Sequence, residues 1–291
     1  HAPVALQPLP AREAAAPLAL RDLANWMRHP ARYFLRKRLG VVFDRDDDAP
    51  EDSEPFHLAG LERHSAARQL LDFLPTDWAA LPDSAPQHHL GQALQRLRRA
   101  GLLPLGTPGD HIVAQWGEEW LPPLQTWQGL QRDHAQPGAR VQLIRTADLQ
   151  NAINLIAASA YPASAVCQND LEPDTLPSLQ DWLDGLRCNA AGQAVWMQLT
   201  PSRLLQDAKK RSLRADLMIQ PWLCSLAAAA SGTELRGLLV ARDVWLEWEP
   251  LEPKAARTQL DRWLYACHQG QRAPLPLPRR TAWALLENDA A

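Results

Sequence analysis

Asp207-Ala208-Lys209 has the spacing that metal-dependent phosphodiester cleavage uses. A carboxylate holds Mg²⁺, and a lysine two residues on orients water and balances charge. Glu252-Pro253-Lys254 repeats the spacing more weakly, because proline interrupts a strand ladder. A second carboxylate must come from a neighbouring strand, and Asp184 is the candidate. Other chemistries lack their motifs. None of the lysines (Lys37, Lys209, Lys210, Lys254) follows a glycine, so no phosphate-binding loop and no ATP hydrolysis are expected. There is no G-x-S-x-G elbow and no H-E-x-x-H zinc helix. The His88-His89 pair reads as part of a polar loop, and His57, His64, His111, His134 and His268 as surface residues. The acidic run Asp44 to Glu54 has D-x-D spacing but lacks the glycine and closing glutamate of a calcium loop, so it reads as a solvated loop. No metal site is expected. Cys167, Cys188, Cys224 and Cys267 form no C-x-x-C pair and read as reduced thiols of a cytoplasmic protein.

Nucleic acid is the other partner class to weigh. The net charge of −3 provides no global attraction, so any contact must use local patches. Two exist. Arg28, Arg32, Arg36 and Arg38 form one, and Arg203, Lys209, Lys210, Arg211 and Arg214 the other. Each reads equally as a phosphate-binding surface and as an ordinary solvated face.

The elements that carry these residues follow from periodicity. Residues 1–17 are Pro/Ala-rich and read as a disordered arm or tag remnant. A chain starting at His1 reads as a piece of something longer. Leu20, Leu23, Trp26 and Met27 share a helical face, His29-Pro30 breaks it, and Pro30 opens a second helix. Further helices are expected over Leu58 to Leu74, Leu90 to Ala100 with Gly101 closing it, and the Trp116, Trp120, Leu124, Trp127 stripe, which reads as core. From about Arg140 the pattern alternates. Strands are expected near Val141, over Asp181–Leu186 paired through Asn189–Gly192 with Ala194–Leu199, and over Gly237–Leu246 around Arg242-Asp243. Ala215–Ala230 and Ala255–His268 read as helices. The fold class is α+β, with a helical lobe over 18–139 and a mixed core over 140–291. No apolar run is long enough to span a membrane.

The order Asp181 to Arg187, turn ending at Gly192, strand Ala194–Leu199, helix Ile219 to Leu226 resembles the nuclease modules of the RecB family. On that pattern Asp184 matches the first metal carboxylate. The D-Y-K strand end falls on Gln198-Leu199-Thr200, and the helix glutamine on Gln220, with Cys224 at the tyrosine position. The resemblance implies a restriction-endonuclease-like core whose catalytic set has decayed.

A second resemblance covers Leu18 to the C-terminus. Leu20 to Leu39 is similar to the "DL..FW.HP.R.FL..RL" signature of the exodeoxyribonuclease V gamma chain (RecC) family. Glu54 to Leu61 resembles its "EPF.L.GL", and Arg98 to Gly106 its "R.AGLLP.G". Trp182 to Gly185, Ser231-Gly232 and Gly270 to Leu277 fit in order. Leu149–Leu179 departs from the pattern as an insertion. The resemblance implies the C-terminal domain of one subunit of a helicase–nuclease that repairs double-strand breaks. That domain is non-catalytic, guides and separates strands of double-stranded ends or forks, and docks the beta (helicase–nuclease) and alpha (helicase) subunits. It needs no cofactor itself, while the parent complex uses ATP and Mg²⁺. Two alternatives stay open: an active Mg²⁺-dependent nuclease using Asp184, Asp207 and Lys209, and a pure protein–protein scaffold.

Overall fold

Val195, Trp196 and Met197 are all buried, so strand β5 (Ala194–Leu199) is covered on both faces and belongs at the centre of a sheet. A computed structural model, which describes residues 17–41, 60–148, 177–207 and 211–275 together with Leu9, Leu58 and Lys209, places it there. The five-stranded sheet runs β1 (Gln136–Pro137), β4 (Leu186–Cys188), β5, β8 (Arg236–Val240), β9 (Trp245–Trp248). β5 and β8 are parallel and the remaining neighbours antiparallel. The parallel pair needs a crossover, which helix α6 (Ala215–Ala230) supplies. Two smaller ladders flank the sheet: β2 (Val141–Thr146) with β3 (Ser178–Leu183), and β6 (Leu205–Asp207) with β7 (Ser212–Leu213).

The two faces of the sheet carry different cores. Trp196 and Leu186 pack with α1 (Leu20–Arg28), α6 and α7 (Pro253–Gln269), where Leu23, Leu223, Leu260 and Leu264 have no exposed surface. Val195, Met197, Leu238 and Val240 face α3 (Gly60–Asp72), α4 (Ala85–Arg99) and α5 (Gly106–Asp133). Trp116, Trp120 and Leu124 are fully buried here, so the tryptophan stripe is core. The fold is α+β.

Local chemistry sets the element ends. Gly101 has φ of 70° and closes α4 in a Schellman arrangement, its amide on Arg98 O and the Leu102 amide on Leu97 O. Glu252 caps α7, accepting from the Lys254 and Ala255 amides at 2.8 and 2.6 Å. Gly237 faces Trp248 across the β8–β9 ladder, and a Cβ there would lie 2.1 Å from the indole. The Trp248 Nε1–H donates to Ser225 Oγ at 2.7 Å and so joins sheet to crossover helix.

Several expectations change. His88 and His89 are not in a loop but in the first turns of α4, because Ser84 and Pro86 start that helix earlier than the leucine period suggests. The His89 ring lies edge-on to Trp78. His134 and His268 are half-buried rather than on the surface. The Asp181–Leu186 stretch divides: β3 pairs with β2, and only β4, after the Gly185 corner, pairs with β5. Of the Leu149–Leu179 stretch, Ser178 and Leu179 lie in β3; residues 149–176, the Asp44 to Glu54 run, His57, Cys167, Ala208, Lys210 and residues 1–8 and 10–16 of the arm lie outside the described residues.

Candidate nucleic-acid interface

Helix α1 and helix α2 (Pro30–Lys37) meet at His29, whose extended backbone (φ −149°) ends one ladder while Pro30 starts the next. The apolar stripe of α1 is buried against α6 and α7, which turns the basic side chains outward. Between the two helices lies a cleft of about 310 Å³, lined by Asp22, Asn25, Arg28, Arg32, Arg36 and Lys37 among others. Arg32, Arg36 and Lys37 are exposed, and Arg28 and Arg38 half-buried. Lys37 leans on Asp22 at 3.8 Å, whereas Arg32 and Arg36 have no ion pair among the described residues.

Arg28 joins this cleft to the second basic segment. Its Nε–H donates to the Asp216 carbonyl at 3.3 Å, across 188 residues of sequence. Asp216 in turn pairs its carboxylate with Arg214 at 3.7 Å. Arg214 is the N-cap of α6 and Asp216 lies in its first turn, so the ridge ends on the positive pole of a helix. Arg211 lies beside it in sequence, exposed, with φ of 53° at the β6–β7 turn. The structure therefore links the cleft that holds Arg28, Arg32 and Arg36 to Arg214 at the start of α6, through Asp216.

Arg203 does not join them. It donates to Glu119 Oε1 at 2.6 Å and is tied to helix α5. The cause is a half-buried carboxylate with three guanidinium partners, which sequence distance hides. Lys209 is exposed at the hairpin tip.

The candidate cleavage residues are spread over the β3–β4 corner, strand β5, helix α6 and the β6–β7 hairpin. The Met197 amide donates to Gly185 O at 3.2 Å, which sets Asp184 at the level of Gln198 on the adjacent strand. Asp184 is exposed at the β3–β4 corner and pairs with Arg140 at 2.5 Å. Thr200 follows the end of β5, its amide on Val240 O at 2.9 Å. Gln220 is half-buried in α6, and Cys224 is buried there, its thiol pushed up to about 12 by burial and by the Asp181 carboxylate. On the register that the resemblance implies, the Gln198 amide takes the place of a metal carboxylate and the Thr200 hydroxyl that of the lysine, and neither side chain suits that role toward Mg²⁺. Among the described residues no three His, Cys, Asp or Glu side chains come together as a metal site. Asp207 and Lys209 are explained by turn geometry: the Lys209 amide donates to Asp207 Oδ1 at 2.8 Å, an Asx-turn at the tip of the β6–β7 hairpin. Asp184 and Asp207 belong to different ladders.

The family model described as RecC C-terminal domain matches residues 15–290. The chain belongs to the RecC C-terminal domain family. A RecC relative, the RecBCD enzyme subunit RecC of Escherichia coli (strain K12), is 35% identical over 91 residues. That match covers 31% of this chain and 7% of the E. coli RecC protein, so the chain spans a small part of that relative's length. Among the described residues, no helix of this RecC-type domain is long and apolar enough to cross a membrane.

Neither the Glu119 cluster nor the Arg28–Asp216 bond is foreshadowed in the sequence. No local signal marks either one, because the partners come from elements far apart in the chain.

Proposed function

We propose that this chain is a non-catalytic domain of a DNA double-strand-break repair helicase–nuclease, where it guides and separates strands and docks partner subunits. The observation that carries the reading is the Arg28–Asp216–Arg214 bridge, which joins the basic α1–α2 cleft to the N-terminus of α6 on a chain of net charge −3. A duplex or fork needs a run of positive groups at phosphate spacing, and local collection is how an acidic protein provides one. The order β4–β5 hairpin, α6 crossover and parallel β8 supports a restriction-endonuclease-like core, and Gln198 and Thr200 support its decay. In this reading ATP and Mg²⁺ serve other parts of the complex, the partners are its helicase–nuclease and helicase subunits, and the setting is the cytoplasm.

The test pairs two assays on one preparation. Forked DNA should bind at low salt and release as salt rises, while Mg²⁺ or Mn²⁺ yields no cleavage of linear DNA. Metal-dependent cutting that Asp184→Ala abolishes would overturn the reading in favour of a nuclease. Absence of both cutting and fork binding would favour a scaffold that meets only protein.

A further inference from the structure

We infer that Arg63, Arg203 and Arg242, gathered on Glu119, form an oxyanion site that takes a phosphate monoester group. Four separate elements build it. Arg63 comes from α3, Glu119 from α5, Arg203 from the β5–β6 connection and Arg242 from the β8–β9 turn. Glu119 Oε2 accepts from Arg63 at 2.9 Å, while Oε1 accepts from Arg203 at 2.6 Å and Arg242 at 3.3 Å. Three guanidinium groups thus share the Glu119 carboxylate, and the neighbouring Asp243 carboxylate, which also attracts Arg242 and accepts the Leu204 and Leu205 amides, still leaves a positive excess.

Part of the excess is held out of water. The Arg242 side chain is 10% exposed, and its Nε–H is buried with no acceptor. Its guanidinium and that of Arg63 lie over Trp120 and Trp116, at 5.5 and 5.7 Å from the ring centroids. Indole faces hold the cations in place but offer no lone pair. A buried cation with an unmet donor is costly unless a further acceptor arrives. Burial, with Arg203 and Arg63 as like-charged neighbours, lowers the Arg242 pKa against the pull of Glu119. The Arg203 side chain is 59% exposed, so an anion can reach the cluster from solvent.

The charge balance selects the ligand class. A carboxylate brings one negative charge and two oxygens. A phosphate monoester brings roughly −1.5 to −2 and three acceptor oxygens, which match several guanidinium forks drawn from separate elements. Such a group comes either from free phosphate or from the phosphorylated end of a nucleic-acid strand. The site shares no arginine with the ridge at the α1–α6 junction, so it stands without the DNA reading.

The experiment measures Tm of the 291-residue chain in inorganic phosphate against chloride at matched ionic strength. Phosphate should raise Tm of the wild type and of Arg32→Gln/Arg36→Gln, and the gain should vanish in Arg203→Gln. Arg203→Gln is the working variant because its exposed side chain can be replaced without opening the core, whereas Arg242→Gln risks the fold. A matched pair of oligonucleotides with 5′-phosphate and 5′-hydroxyl ends then identifies the source. Tighter binding of the phosphorylated one, lost in Arg203→Gln, assigns the strand end; equal binding assigns free phosphate. No phosphate gain, an equal gain in Arg203→Gln, or stabilisation by polyglutamate alone overturns the proposal, the last in favour of an acidic protein segment.

Discussion

The Asp181 carboxylate accepts the Leu20 amide at 2.9 Å, although 161 residues separate them. Helix α1 begins after Ala19, whose side chain cannot cap, so the orphan amide is satisfied by a strand. The same carboxylate also accepts the Trp182 amide at 2.8 Å, which fixes its orientation. Asp181→Ala should therefore cost about 1 kcal/mol, the usual effect of removing a cap. Urea unfolding followed by tryptophan fluorescence measures this, and an unchanged midpoint would show that α1 does not depend on β3.

The Arg145–Asp261 pair should matter more. Arg145 holds Asp261 bidentately at 2.8 and 2.6 Å, and the Asp261 side chain has no exposed surface. Removing one partner strands a buried charge, which costs about 3–5 kcal/mol. Arg145→Met should lower the unfolding midpoint strongly, while Arg145→Met/Asp261→Leu should recover much of the loss. A double variant as weak as the single one would contradict the pairing.

Stability should fall on mild acidification. Burial, aided by the Arg272 charge, lowers the pKa of His268 from the usual 6.5. The folded state then binds fewer protons than the unfolded chain between the two values, so stability is complete above about 6.5 and declines as pH falls below it. Thermal melts from neutral to mildly acid pH should show the decline, and His268→Gln should flatten it. A parallel decline in both proteins would assign the effect elsewhere. The Glu119 carboxyl titrates in a lower window. Burial would raise it, but the Arg203 hydrogen bond and the Arg242, Arg203 and Arg63 charges outweigh burial and hold it below 4.5. Its contribution is present above that value and lost at more acid pH.

The basic ridge predicts a salt signature. Arg32→Gln/Arg36→Gln should weaken fork binding and reduce the slope of log K against log salt by about 0.9 for each phosphate no longer neutralised. Effects should be similar across DNA sequences, since groups that bind phosphate do not read bases. A weakened affinity at unchanged slope would mean that these arginines act through the fold rather than on phosphate.

Gly237→Ala should be destabilising well beyond a surface alanine, because the new methyl would overlap the Trp248 ring that also holds Ser225. Gly237→Ala/Trp248→Leu should regain part of the deficit, and melting temperatures of the pair decide it. No recovery would mean that the strain lies in the β8 backbone.

Much of the architecture was legible in the residues. Period 3.6 in Leu20, Leu23 and Trp26, the Ala215–Ala230 helix, and alternation at Val141 and Leu143 are local patterns, and local patterns survive folding when one face is buried. Helix starts set by Ser84 and Pro86 were harder, because the leucine period begins only at Leu90. The Asp207–Lys209 spacing is ambiguous for a related reason: two residues of separation serve a turn as well as a metal site.

By itself, the amino-acid order determined most of the helix and strand segments and which of their faces are apolar. Only the tertiary structure decided which charges meet. Arg28 reaches Asp216, Arg203 leaves the basic run for Glu119, and Asp181 caps a helix it is nowhere near in sequence. Side-chain periodicity is a short-range property of the backbone. Ion pairs and caps between distant elements depend on how two faces of one sheet are covered, and that is set by the whole chain at once.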